Sequence, residues 1–196
     1  MTSKNELSEI FLNSETISDN FFISIVENKL NLSRDEFKLR LVLLSPATGQ
    51  NENFVSVLYR AKIKIEVIET SSRQTVDVVI KALLSTIKEI KEFGVFPRER
   101  FFYENILNSF EQIWLENAGE EIKFGPSSIK FETDPYEIIV LEDLKAAKYE
   151  MMNRKVGLNL KQTKMLLEKI AKFHAASAIR YQKVTLLFLL IIYHLS

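Results

Sequence analysis

The sequence predicts an α+β protein: an antiparallel sheet of about five strands with helices laid beside it. Three observations lead there. Residues 54–69, FVSVLYRAKIKIEVIE, alternate with a period of two. Val55, Val57, Tyr59, Ala61, Ile63, Ile65 and Val67 fall on one face, and Ser56, Arg60, Lys62, Lys64 and Glu66 on the other, as in a half-buried strand. Two other stretches, 102–114 and 159–183, repeat their apolar residues at helical spacing instead. Finally, the strand-like runs before residue 85 are joined by short turn-rich segments. Such links close an antiparallel meander and are too short for a parallel crossover.

Taken in order, residues 6–12 and 17–30 read as short helices, the second with Ser18 as N-cap. EFKLRLVLL, 36–44, is a first strand, and SPATGQNEN, 45–53, a loop rich in turn formers. The alternating strand follows, SSRQT ends it, and VDVVIKALL, 76–84, is the third. Pro97 suits the first turn of a helix, whose stripe is Phe102, Tyr103, Ile106, Leu107, Phe110, Ile113 and Trp114. After the FGPSS turn, IKFE and YEIIVLEDL are two more strands, split by TDP. In the last helix, Asn159 and Gln162 stand at capping-box spacing. Leu166, Leu167, Ile170, Phe173, His174 and Ser177 form its inner stripe, with His174 read as a packed residue.

Composition narrows the function. The 196 residues carry 26 Lys+Arg against 26 Asp+Glu, so no bulk charge is available to hold a nucleic acid. Without cysteine there is no disulfide framework and no thiolate metal site, and His174 and His194 by themselves do not make a zinc site. MTSKNELSEIFLNSETISDN has no apolar core of signal-peptide length, which sets a cytoplasmic expectation.

Two charges are out of place. Lys81 interrupts the apolar run DVVIKALL. Either its stem runs out to water, or an acid meets it inside the fold, since an unpaired buried charge costs several kcal/mol. Carrying the helical stripe one turn back from Phe102 reaches Glu99, an acid on the core-facing side. Helix-dipole preference for a first-turn acid also accounts for Glu99, but each residue supplies what the other lacks. A turn-rich loop, a third-strand lysine and a helix glutamate are the parts of a protein-kinase-like small lobe.

The stretches GQNENFVSVLYRAKIKI, VVIKALL, FPRERFFYENIL and PYEIIVLEDLKAAKYEMMNRKVGLNLKQTKMLLEKIAKFHAASA together resemble the insect ecdysteroid-kinase-like (CHK-kinase-like) family, relatives of choline kinases and aminoglycoside phosphotransferases. The resemblance spans residues 37 to 183, and IVLEDL through AKFHA is its most specific part. It implies an ATP-dependent kinase using magnesium and acting on small hydroxylated molecules such as ecdysteroids. Lys81 would hold the α and β phosphates and Glu99 would hold Lys81. Asn51, Asn53 and Ser56 would belong to the phosphate loop. Backbone groups of Glu142, Asp143 and Leu144 would form the adenine hinge, the two acids reading as exposed. No metal ligand and no catalytic residue is assigned. The implied organisation is a small lobe with N-terminal helices, 1–141, a hinge and connector, 142–158, and the first helix of a large lobe, 159–183.

The sequence departs from that family in three places. Asn51 stands where the phosphate loop usually has glycine, and Lys148-Tyr149 where a Gly-Tyr pair follows the hinge. In addition, the family continues beyond AKFHAASA into the catalytic loop and metal ligands, whereas here Lys183 is followed by the apolar tail VTLLFLLIIYHLS, 184–196. The tail is short of the roughly 20 residues of a membrane span, so a membrane partner is not expected. It reads as a short strand or helix folding back over apolar surface, or as translated intron, since valine codons begin with the GT of a splice donor. Three readings of function follow, the least favoured being a membrane-associated fragment anchored by the tail. One is the ATP-binding lobe of a small-molecule phosphotransferase, inactive by itself and prone to self-association. Another is a non-enzymatic truncated product acting as an interaction fragment.

Overall fold

The computed structural model describes residues 17–47, 56–83, 94–134, 136–153 and 155–195, with residues 186–195 as backbone only. The expected helix at 6–12 and loop residues Asn51 and Asn53 lie outside the described residues. In order come α1 (Asp19–Leu30), β1 (Phe37–Pro46), β2 (Ser56–Val67), β3 (Arg73–Leu83), α2 (Val95–Phe101), a π-helical stretch (Phe102–Leu107), α3 (Asn108–Ala118), β4 (Ser128–Glu132), β5 (Ile138–Glu142) and α4 (Leu160–Leu195). The chain divides into two compact units, residues 1–100 with 126–149, and 101–125 with 150–196.

The first unit holds one antiparallel sheet of order β1-β2-β3-β5-β4. Register sorts its residues by face, because directly opposed residues share a side. Tyr59, Ile80 and Val140 are in register, as are Ala61 and Val78. These residues, with Ile63, Ile65, Val76 and Ile138, pack on Phe21, Phe22, Ile25 and Val26 of α1. The period-two pattern of β2 therefore buries the face it predicts. Ser18 stands at the N-cap of α1 without a side-chain cap bond, and Asn31 closes the helix in left-handed geometry (φ 55°). β3 begins at Arg73, earlier than the SSRQT break suggests, since Arg73 and Gln74 pair with Glu66 and Ile65. A register shift between Leu39 and Leu41 interrupts β1.

The second unit centres on Phe110, Ile113 and Ala176, with Phe124, Phe173 and Ile179 packed around them. The Phe173 ring meets Phe110 and Phe124 edge-on, with centroids 4.9 and 5.4 Å away. Gly119 ends α3 at φ 68°, its N–H donating to Leu115 O, a conformation glycine adopts without a Cβ penalty. The capping box of α4 is complete: Asn159 N donates to Gln162 Oε1 and Gln162 N to Asn159 Oδ1, both at 2.9 Å.

Two expectations for α4 are corrected. The tail does not fold back over the helix, because α4 runs unbroken from Leu160 to Leu195. The face that meets α3 is Phe173, Ala176 and Ile179. Leu166, Leu167 and Ile170 are exposed, as is His174. Of the stripe read from spacing, Phe173 packs into the core of the unit, Leu166, Leu167 and Ile170 form an open apolar face, and His174 is not the packed residue expected. Among the described residues no helix is long and apolar enough to cross a membrane.

Candidate functional site

Lys81 projects from the sheet face opposite α1. It lies in register between Leu58 of β2 and Ile139 of β5, and two residues back Val79 lies between Arg60 and Leu141. Leu58 and Val79 are half-buried and Leu141 is buried. The lysine thus borders an apolar patch contributed by three adjacent strands. Its ammonium donates to both carboxylate oxygens of Glu99, at 2.7 and 2.6 Å, with each side chain about one-fifth exposed. The Phe96 ring, one turn back on α2, has its centroid 5.4 Å from Nζ. The two anomalous charges of the sequence are therefore partners. Helical spacing put Glu99 on the inward side of α2, and strand register brings Lys81 to meet it.

Ser56 opens β2 and is buried. At the end of β5, Glu142 N donates to Ser127 O at 2.9 Å, and Ser127 N to Glu142 Oε2 at 3.3 Å. Asp143 is not the exposed acid its sequence context suggests: it is 5% exposed. Arg60 Nε donates to its Oδ2 at 3.0 Å and Lys145 N to its Oδ1 at 2.9 Å. The same guanidinium donates through Nη1 to Ala47 O at 2.9 Å. One arginine thus ties the turn at Asp143 to the end of β1. The reason is the register: Arg60 stands opposite Val79, two residues along β3 from Asp77, whose carbonyl accepts from Asp143 N at 3.4 Å. Beyond it, Tyr149 N donates to Leu144 O at 2.8 Å, and Lys148 closes this turn at φ 66°. Lys148, which stands where the resemblance leads one to expect glycine, thus takes left-handed backbone.

The family profile described as the ecdysteroid kinase-like family matches residues 50–189 of the chain. The protein belongs to the ecdysteroid kinase-like family. The match runs six residues past Lys183, so the start of the tail expected to depart from the family pattern falls inside it. No curated protein and no solved structure matches the chain. Membership makes the sheet with α2 a kinase-like small lobe, places the protein among kinase-like phosphotransferases, and brings with it the general dependence of such enzymes on ATP and magnesium. Among the described residues no group of three or more His, Cys, Asp or Glu side chains stands ready to hold a metal ion. Asp134 is exposed in the turn before β5.

Leu58, Val79, Leu141 and Arg60 were not singled out from sequence. Each was assigned a strand, but only the register across three strands sets them beside Lys81 and Asp143. The available signal was parity: Val79 is two residues from Lys81 and so shares its face.

Proposed function

We propose that the first unit is the nucleotide-holding small lobe of an ATP-dependent small-molecule kinase. The Lys81–Glu99 pair carries this reading: a lysine ammonium held by both oxygens of a helix carboxylate, beside the apolar side chains of Leu58, Val79 and Leu141. In it, Lys81 holds the α and β phosphates and Glu99 keeps the ammonium at its station. Leu58, Val79 and Leu141 face the adenine ring, and backbone groups of Glu142 to Leu144 meet its edge. Ser56, with Asn51 and Asn53, belongs to the phosphate loop. The acceptor is a small hydroxylated molecule of the ecdysteroid class, and the protein works in the cytoplasm.

This chain by itself is inactive on the same reading. Its 196 residues contain no His-x-Asp-x-x-x-x-Asn sequence, so no aspartate is supplied to take the proton of the attacking hydroxyl, a service worth about 10²–10⁴-fold. Nor, among the described residues, does a carboxylate set stand ready to hold the magnesium that would spread the phosphoryl charge. Asp143 is no substitute, since Arg60 and the Lys145 amide occupy its carboxylate.

Calorimetry with Mg-ATP is the test of binding. Affinity of about millimolar, roughly −4 kcal/mol, is expected, and it is lost in Lys81→Met. A kinase assay with ATP and a panel of ecdysteroids and other alcohols tests activity. No turnover is expected, and turnover abolished by Lys81→Met would overturn the claim of inactivity. The second reading, an interaction fragment, draws on the exposed Leu166, Leu167 and Ile170 of α4. An apolar stripe of this kind favours self-association.

A further inference from the structure

Arg60 joins distant parts of the sheet. Register sets it in one row with Ser45 of β1 and Val79 of β3, and Val79 in turn with Leu141 of β5. Parity puts its side chain on the face that bears Leu58, Val79 and Lys81. There its planar fork meets two acceptors, one in the turn after β5 and one at the end of β1. Nε donates to Asp143 Oδ2 at 3.0 Å and Nη1 to Ala47 O at 2.9 Å. Ala47 is held a second time, since its N–H donates to Leu58 O at 2.8 Å. A lysine could not replace this contact, because it ends in one compact ammonium, whereas a guanidinium holds two acceptors at set angles.

The turn after β5 relies on this fork. Within the turn, Lys145 N donates to Asp143 Oδ1 at 2.9 Å, Ala147 N to Asp143 O at 3.1 Å and Tyr149 N to Leu144 O at 2.8 Å. These bonds shape the turn but do not set where it sits on the sheet. Of the bonds that do, Asp143 N to Asp77 O is long, at 3.4 Å. Arg60 Nε to Asp143 Oδ2 is shorter and charge-assisted, and its carboxylate is buried. A buried carboxylate does not readily give up its cation, so the guanidinium is the stronger tether. The same carboxylate accepts the Lys145 amide, so the tether also orients the peptide between Leu144 and Lys145.

We propose that Arg60 is a positioning residue that sets the base selectivity of the nucleotide site. This rests on the nucleotide-holding reading of the face, in which backbone groups of Glu142 to Leu144 meet the purine edge. Adenine and guanine differ at that edge: adenine carries an amino donor where guanine carries a carbonyl acceptor. A backbone turn discriminates between them only while its own donors and acceptors are held in place, because a mismatched base then leaves polar groups unpaired. A turn free to shift re-orients to suit either base. The Arg60–Asp143 bond holds the turn, and the bond to Ala47 O ties it to the strand end that precedes the expected phosphate loop. In this role Arg60 acts through Asp143 and not through the base.

The experiment is an NMR titration of the isotope-labelled chain with Mg-ATP and, separately, with Mg-GTP, in wild type, Arg60→Lys and Asp143→Asn. Lys81→Met serves as the reference for the nucleotide site. Wild type is expected to prefer Mg-ATP by about tenfold. Arg60→Lys keeps the charge and loses the fork, and is expected to lower that ratio to about twofold or less. Should it not fold, Asp143→Asn, which keeps the side-chain volume and an acceptor for Lys145 N, carries the same expectation. Lost stability alone lowers the folded fraction and scales both apparent affinities alike, so the ratio reports on the turn and not on the fold. A ratio unchanged in the folded variant, or a wild type without base preference, overturns the proposal; where Lys81→Met still abolishes binding, the nucleotide site stands. Binding that survives Lys81→Met, or no binding at all, overturns the small-lobe reading and this proposal with it.

Discussion

Replacing Glu99 with alanine removes both acceptors of the Lys81 ammonium. An exposed ion pair is worth up to about 1 kcal/mol, whereas breaking a fully buried pair costs about 3–5 kcal/mol. Side-chain exposures of 23% and 21% place this pair nearer the buried limit, so a loss of about 2–3 kcal/mol is expected. The Phe96 ring retains some hold on the stranded ammonium, which keeps the figure below the upper limit. Removing both charges at once, in Lys81→Met with Glu99→Leu, leaves nothing uncompensated and is expected to cost about 1 kcal/mol or less. Lys81→Met alone and Glu99→Leu alone each cost about as much as Glu99→Ala, so the double-mutant cycle built from these two substitutions shows a coupling of about 3 kcal/mol or more. The assay is urea unfolding followed by far-UV circular dichroism. The sole tryptophan, Trp114, belongs to the other unit, so its fluorescence does not report on this sheet. At a slope of about 2 kcal/mol per molar, Glu99→Ala moves the midpoint down by about 1 M or slightly more. A shift equivalent to less than about 0.5 kcal/mol, with no coupling in the cycle, would show that the contact is an ordinary surface pair and refute the reasoning.

Other perturbations have equally definite outcomes. Arg60→Met leaves the buried Asp143 carboxylate without its guanidinium, and thermal unfolding is expected to show a loss of about 2–4 kcal/mol. Lys148→Gly relieves a lysine held at φ 66°; a gain of about 0.5–1 kcal/mol in the same assay is expected. Asn159→Ala breaks the capping box of α4, and hydrogen exchange is expected to show fraying of its first turn, worth about 1 kcal/mol. Glu116 has its pKa lowered from 4.5 by the Gln112 hydrogen bond and then by Lys183. A lowered folded-state pKa stabilises above the unfolded value and is lost as pH falls through the folded one. Acidification below about pH 4.5 is therefore expected to release Lys183 from Glu116, and a pH titration of Glu116 by NMR that follows an unperturbed carboxylate contradicts this.

The sheet was legible because its strands obey a single period. Val57 through Ile65 alternate cleanly, and the short SSRQT link allowed only an antiparallel return. Lys81 and Glu99 were legible as anomalies: each violates the pattern of its own element, and a shared violation implies a shared cause. Asp143 was misread because burial of an acid depends on a partner 83 residues away in sequence, Arg60, that looks like any other outward strand residue. The face of α4 that meets α3 was legible only in part, through Phe173, for a different reason. Apolar residues surround much of that helix, so spacing alone does not choose between the stripe at Leu166–Ile170 and the one at Phe173–Ile179. The π-helical stretch at Phe102–Leu107 further alters the phase of the preceding stripe, which a fixed 3.6-residue period does not anticipate.

The central claim is that the sheet face around Lys81 seats a nucleotide. The most direct measurement is the set of backbone amides that shift on titrating the labelled chain with Mg-ATP. The account predicts shifts at Leu58, Val79, Lys81, Leu141 and the hinge residues Glu142 to Leu144, abolished in Lys81→Met. A groove elsewhere on the sheet, lined by Arg40, Lys64 and Arg73 with Glu66 paired to Arg40, carries a net positive charge and offers a competing home for a polyphosphate. Shifts centred on that groove and unchanged by Lys81→Met would contradict the account.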